Sequence, residues 1–138
     1  MNALKCLVVA SALAVLPAAV PANAPAASFD THYAAFGLYN DTTHVLKYQV
    51  RWGDSGEWTY WTIAPGETMT HYYTYAYPNQ NHSPVPQIRF HYNPAERQPR
   101  YKVYDLQAWA VAYAQAPAGK PYSFRYSWGG GYLDVYQG

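Results

Sequence analysis

Along residues 45–63, V-L-K-Y-Q-V-R-W-G-D-S-G-E-W-T-Y-W-T-I, apolar and polar positions alternate on either side of a Gly-Asp-Ser-Gly break. Alternate residues of a strand point to opposite faces. Leu46, Tyr48, Val50 and Trp52 then share one face, and Val45, Lys47, Gln49 and Arg51 share the other. The first set is apolar and the second mostly polar, so the pattern predicts a half-buried strand. Gly53-Asp54-Ser55-Gly56 has the chemistry of a four-residue hairpin loop. Counting outward from it pairs Trp52 with Glu57, Val50 with Thr59, Tyr48 with Trp61 and Leu46 with Ile63. That register gathers Trp61 and Ile63 on the core face, and a slip of one residue would turn both outward. It leaves Trp58 across from Arg51 and Tyr60 across from Gln49, on the solvent face.

The rest of the chain repeats this theme. Phe36–Tyr39 reads as a short strand ended by the turn Asn40-Asp41-Thr42-Thr43. Pro65-Gly66 specifies a type II turn, which fits tight hairpins poorly. It is read as an arch that carries the chain to a second sheet. Met69–Tyr75 follows as a strand with Met69, His71, Tyr73 and Tyr75 on one face. Pro86–Tyr92 is another, with Ile88, Phe90 and Tyr92 facing in and Gln87, Arg89 and His91 facing out. Between and after these lie two loops rich in Pro and polar residues, 76–84 and 93–100. Residues 101–114 alternate with period two and are read as a strand, against a helix capped by Asp105. The last hairpin turns at Gly129-Gly130, which sets Tyr126 against Leu133, Phe124 against Val135 and Arg125 against Asp134 as an opposite-charge pair.

Seven to nine short strands with frequent turn signals and no long amphipathic helix predict an all-β fold. The expected architecture is an antiparallel two-sheet β-sandwich of immunoglobulin-like size, with a small barrel as the competing arrangement.

Residues 1–26 depart from that pattern. Lys5 is followed by the apolar run Leu7–Leu16 and then by small residues and prolines, the layout of a secretory signal peptide. Cleavage is expected after Ala26, with Ala22-Asn23-Ala24 as the rival site, leaving one domain over 27–138. An uncleaved segment acting as a membrane anchor is the alternative to export. The only cysteine, Cys6, lies in this segment, so the expected mature chain has no disulfide and no thiolate ligand. Location outside the cytoplasm, secreted or periplasmic, follows as an expectation.

Charge points to no polyelectrolyte partner. The chain has 9 basic and 8 acidic residues, and removing Lys5 leaves 8 of each over 27–138. No basic cluster is visible in the sequence, which argues against nucleic acid. P-loop, dinucleotide and nucleophile-elbow motifs are absent, and no histidines stand at metal-ligand spacing. The carboxylates fall mostly in turns or beside basic residues, which does not suit paired acid/base work. The chain is therefore read as a non-enzyme without metal or cofactor. Asn40-Asp41-Thr42 and Asn81-His82-Ser83 match the N-glycosylation pattern.

The compositional anomaly is aromatic: 16 tyrosines and 5 tryptophans. Aromatic side chains bury large areas with few rotamers to lose, which offsets the missing disulfides. The same rings on a wet face would stack on sugars. Trp58, Tyr60, Arg51 and Gln49 form the candidate ligand-binding set on these grounds. Against that stands a structural role, since cross-strand aromatic and cation–π pairs stabilise sheets by up to about 1 kcal/mol each. The expected function is a secreted or periplasmic non-catalytic binding module for cell-surface carbohydrate. The alternative is a structural or self-associating protein of the envelope or matrix, with an envelope protein as its partner.

Overall fold

The structure, a computed structural model, describes residues 31–138; the expected signal segment lies outside the described residues. Among the described residues nine strands follow one another: β1 (Tyr33–Asn40), β2 (Leu46–Trp52), β3 (Thr59–Ile63), β4 (Thr68–Thr74), β5 (Pro86–His91), β6 (Tyr101–Asp105), β7 (Trp109–Val111), β8 (Lys120–Tyr126) and β9 (Leu133–Gln137). They form two sheets, one ordered β3-β2-β5-β6 and the other β4-β1-β8-β9, with β7 also paired to β1. A single apolar core draws on both sheets, an arrangement consistent with a β-sandwich. Phe36, Leu38, Tyr122, Phe124 and Leu133 come from the β1-containing sheet, and Leu46, Tyr48, Val50, Ile63, Ile88 and Phe90 from the other.

The β2–β3 register agrees with the sequence count: Leu46 pairs with Ile63, Tyr48 with Trp61, Gln49 with Tyr60 and Val50 with Thr59. The ladder ends there, so the expected Trp52–Glu57 pair is not part of it, and residues 53–58 make a wider connection. Ile63 is fully buried. Trp61 lies on the core side against His71, ring centroids 4.8 Å apart, yet stays 39% exposed because β3 is a sheet edge.

The Pro65-Gly66 arch does join the two sheets. Gly66 has φ +75°, and the Glu67 amide donates to Ala64 O at 3.1 Å, closing the turn. Fully buried Asn40 fastens the arch to its neighbours. Its Nδ2 donates to His44 O (2.8 Å) and Ile63 O (3.1 Å), while its Oδ1 accepts from the amide and hydroxyl of Thr42. Buried and fully engaged, this asparagine is not available to a glycosylating enzyme in the folded state.

Three expectations need correction. The sheet containing β1 is mixed, not antiparallel: β1 pairs with β8 in parallel, Phe36 to Lys120 through Asn40 to Phe124. Residues 101–114 are extended but do not make one strand. β6 pairs with β5, the chain then crosses over, and β7 pairs with β1 in the other sheet. Buried Leu106 marks that crossing. The last hairpin has the expected register, but its turn sits one residue earlier. The Gly130 amide donates to Ser127 O, Gly129 has φ +95°, and Trp128 stands fully exposed at the tip.

Arg125 and Asp134 are registered partners that do not bond each other. Arg125 Nε lies 3.4 Å from Asp41, while Asp134 accepts from Lys102 Nζ (3.2 Å) and the Tyr104 hydroxyl (2.7 Å) of β6. β9 and β6 are edge strands of different sheets, so this bond set ties the two sheets along one side. Burial pushes the Asp134 carboxyl up, but the bonds from Tyr104, the Val135 amide and Lys102 outweigh it and hold it below the usual range.

Candidate functional site

The outer face of the β3-β2-β5-β6 sheet carries the side chains singled out from the sequence. Period-two alternation sends Lys47, Gln49 and Arg51 of β2, Gln87, Arg89 and His91 of β5, and Tyr101, Val103 and Asp105 of β6 to that face. Register lines them up in rows: Tyr60–Gln49–Arg89–Val103, and beside it Arg51–Gln87–Asp105.

Trp58 lies against two of these rows. The guanidinium carbons of Arg51 and Arg89 sit 4.5 and 4.4 Å from its ring centroid, within cation–π range. Each arginine is also anchored at its Nε. Arg51 donates to Gln87 Oε1 and Arg89 donates to Gln49 Oε1, both at 2.6 Å. Gln87 in turn donates to Asp105 (2.7 Å) and Asp54 (3.1 Å). The face is thus a hydrogen-bonded grid in which each amide oxygen receives a guanidinium N–H.

Of the four residues proposed from sequence, all lie on this face, but they play different parts. Gln49 is buried and its oxygen is committed to Arg89, so it is not the free polar neighbour that was expected. Trp58 and Arg51 are partners of each other, and Trp58 is half-buried. Tyr60 is 79% exposed and its ring is in contact with no other aromatic among the described residues. It is the one member free to meet a ligand with its whole face.

Where β2 and β5 part beyond the Tyr48–Phe90 pair, a cleft of about 370 Å³ opens. Its exposed margin carries Lys47, Tyr60, Arg89, His91 and Tyr101, with Pro94 and Pro99 from the β5–β6 loop. Its depth reaches Leu46 and Leu133 of the core and Tyr126, which packs against it. Tyr101, 55% exposed, stands on the far side from Tyr60 and has the Arg89 guanidinium 5.7 Å from its ring. His91 is tied back by Nδ1, which takes the Arg100 amide at 2.8 Å.

Arg89, Tyr101, His91 and Lys47 were not named as site residues from sequence. The outward positions of Arg89 and His91 were readable from the period-two pattern of Pro86–Tyr92. That β5 would lie beside β2 was not, because no short turn connects the two strands.

His71 is separate from this face. It is 4% exposed between the sheets, and its Nε2 lies 2.7 Å from the Tyr48 hydroxyl. Burial alone lowers its pKa to about 4. Burial, with a smaller contribution from Glu67, pushes the Tyr48 phenol up. His71 and His91 therefore sit on opposite sides of one sheet. Among the described residues no three His, Cys, Asp or Glu side chains gather as a metal site would require.

No protein-family model matches the chain, and no curated protein or solved structure matches it significantly.

Proposed function

We propose that this protein is a non-catalytic extracytoplasmic binding module for carbohydrate. The observation that carries the reading is the amphipathic cleft flanked by two exposed tyrosines, Tyr60 and Tyr101, with donors from Lys47 and Arg89 between them. Sugar rings present flat C–H faces that pack on aromatic rings, while their hydroxyls take hydrogen bonds from guanidinium and ammonium groups. Tyrosine presents such a ring at low rotamer cost, which suits a binding surface. The Arg89–Gln49 bond and the pairing of β2 with β5 fix the site on strands, so little ordering is required when ligand arrives.

This reading moves the stacking role from Trp58 to Tyr60 and Tyr101. Trp58 already serves two guanidinium groups, and its loss should loosen the grid that sets Arg89. Binding of soluble polysaccharides, followed by tryptophan fluorescence or calorimetry, is the test. Tyr60→Ala and Tyr101→Ala should each lower affinity tenfold or more, about 1.4 kcal/mol, with melting temperature nearly unchanged. Trp58→Ala should lower both. Affinity that survives the two tyrosine variants would refute the site.

Self-association in an envelope or matrix is the second reading. It is favoured by Trp128, wholly exposed at the tip of the β8–β9 hairpin. Concentration-dependent mass in solution that disappears in Trp128→Ser would support it.

A further inference from the structure

Resting on the carbohydrate reading, we infer that the ligand of the Tyr60–Tyr101 cleft is an acidic polysaccharide, one carrying uronate carboxylates or sulfate esters.

The argument is one of charge placement. The chain as a whole is close to neutral, with 9 basic and 8 acidic residues. The cleft is not. Its lining includes Lys47, Arg89 and His91 and no aspartate or glutamate. Elsewhere on the same face the acids are spoken for. Asp105 accepts from Gln87, and Asp54 lies 3.9 Å from Arg51 while also accepting from Gln87. The remaining ion pairs, Glu96–Arg100, Asp134–Lys102 and Asp41–Arg125, lie outside the cleft lining.

Among the described residues, Lys47 and Arg89 share the lack of a carboxylate partner within 4.0 Å with Arg97 and Lys120, but of these four only they line the cleft. Arg89 is held by its Nε, which leaves the two terminal nitrogens of the fork without an acceptor among the described residues. A guanidinium anchored on one edge and open on the other is well suited to a planar carboxylate or a sulfate, which it can meet with two N–H groups. Lys47 extends from the adjacent strand on the same face. With His91 tied back by Nδ1, its Nε2 is the ring nitrogen left for a ligand.

Two cations with a tyrosine on either side match the repeating chemistry of an acidic glycan, in which flat sugar faces alternate with anionic groups. A neutral glycan would use the tyrosines but leave the two charges without partners. Phosphate polymers offer the charge without the flat faces, so they would use the cations and not the tyrosines.

The experiment compares polygalacturonate and dextran sulfate with unsubstituted dextran and cellulose oligomers, and with inorganic polyphosphate, by calorimetry on the whole exported protein. Expected is binding to one or both acidic glycans, at least tenfold tighter than to the neutral ones, weakening as salt rises from 50 to 500 mM on the order expected for screening of surface charge. Lys47→Glu, at an exposed position, should remove about tenfold of that affinity or more while leaving the melting temperature in place. Tyr60→Ala should do likewise. Equal binding of neutral and acidic glycans, both lost in Tyr60→Ala, would overturn the charge inference and leave the carbohydrate reading intact. Polyphosphate binding as tight as that of the acidic glycans, insensitive to Tyr60→Ala, would overturn both, as would no binding to any glycan.

Discussion

Between pH 7 and about pH 4, acid should weaken this fold chiefly through one residue, His71. The imidazole is 4% exposed and ringed by Phe36, Tyr48 and Trp61, with centroids 5.1, 5.5 and 4.8 Å away. No carboxylate among the described residues bonds it, and its pKa falls from 6.5 to about 4 because burial penalises the cation. A neutral ring can accept the Tyr48 hydroxyl proton across the 2.7 Å contact; the cation cannot. The unfolded chain takes a proton on this residue below about pH 6.5, whereas the folded chain resists until about pH 4. Between those values the unfolded state binds more protons, so stability falls as pH falls. The shift of about 2.5 pH units between these pKa values corresponds to roughly 3 kcal/mol once both are passed, and to about 2 kcal/mol by pH 5. Above pH 7 the group contributes no slope. The perturbation that isolates it is His71→Phe, which keeps a ring but cannot titrate. The variant should be less stable at pH 7 by about 1–2 kcal/mol, since Tyr48 loses its nitrogen acceptor and retains only Met69 Sδ at 3.5 Å. Urea unfolding at pH 7, 6 and 5 should then show the two proteins converging as acid removes stability from the wild type alone. Nuclear magnetic resonance of the wild type should show the His71 imidazole titrating near pH 4. A constant gap between wild type and variant across that range, or a His71 midpoint near 6.5, would refute the reasoning.

Three further substitutions test the turns and the arch. Gly66 and Gly119 both have positive φ, +75° and +88°, but their surroundings differ. A Cβ at Gly66 would meet nothing within 4 Å, while one at Gly119 would stand 2.2 Å from Ala35 O. Gly66→Ala should therefore cost about 1 kcal/mol for the backbone conformation alone. Gly119→Ala should cost several-fold more, because the chain must withdraw from β1; equal losses in chemical denaturation would show that the close approach does not matter. Asn40→Ala should cost about 2–4 kcal/mol, since it removes the Nδ2 donor from the carbonyls of His44 and Ile63 and the acceptor of the Thr42 amide and hydroxyl in one step, and a loss under 1 kcal/mol in the same assay would contradict that role.

What was legible in the sequence follows the range of the interactions involved. The β2–β3 and β8–β9 registers were readable because a short turn fixes the count and each strand has one apolar face. The arch was readable because Pro65-Gly66 allows few turn types. The parallel β1–β8 pair was not, because about 80 residues separate those strands and neither carries a pattern that names its partner. The split of residues 101–114 was hidden for a related reason. Period two shows that a segment is extended, and β6 and β7 both are, but it does not show to which sheet each belongs. Only Leu106, which extends the inward series of Lys102 and Tyr104 past the end of β6, marks the crossing.

The same distinction separates the two halves of the candidate site. Tyr60, Trp58, Arg51 and Gln49 were brought together by one local hairpin, so their neighbourhood could be counted. Their roles could not, because each depends on β5. Gln49 and Arg51 both look like free polar groups until β5 supplies Arg89 and Gln87 as their partners at 2.6 Å. A partner strand that arrives from 40 residues away thus converts two candidate ligand contacts into scaffold. In exchange it contributes an arginine whose outer edge is open. A binding face on a sheet is assembled perpendicular to the strands, across sequence-distant neighbours, whereas sequence patterns run along them. Exposed positions on a single hairpin locate such a face, and the residues that equip it come from the strands laid beside that hairpin.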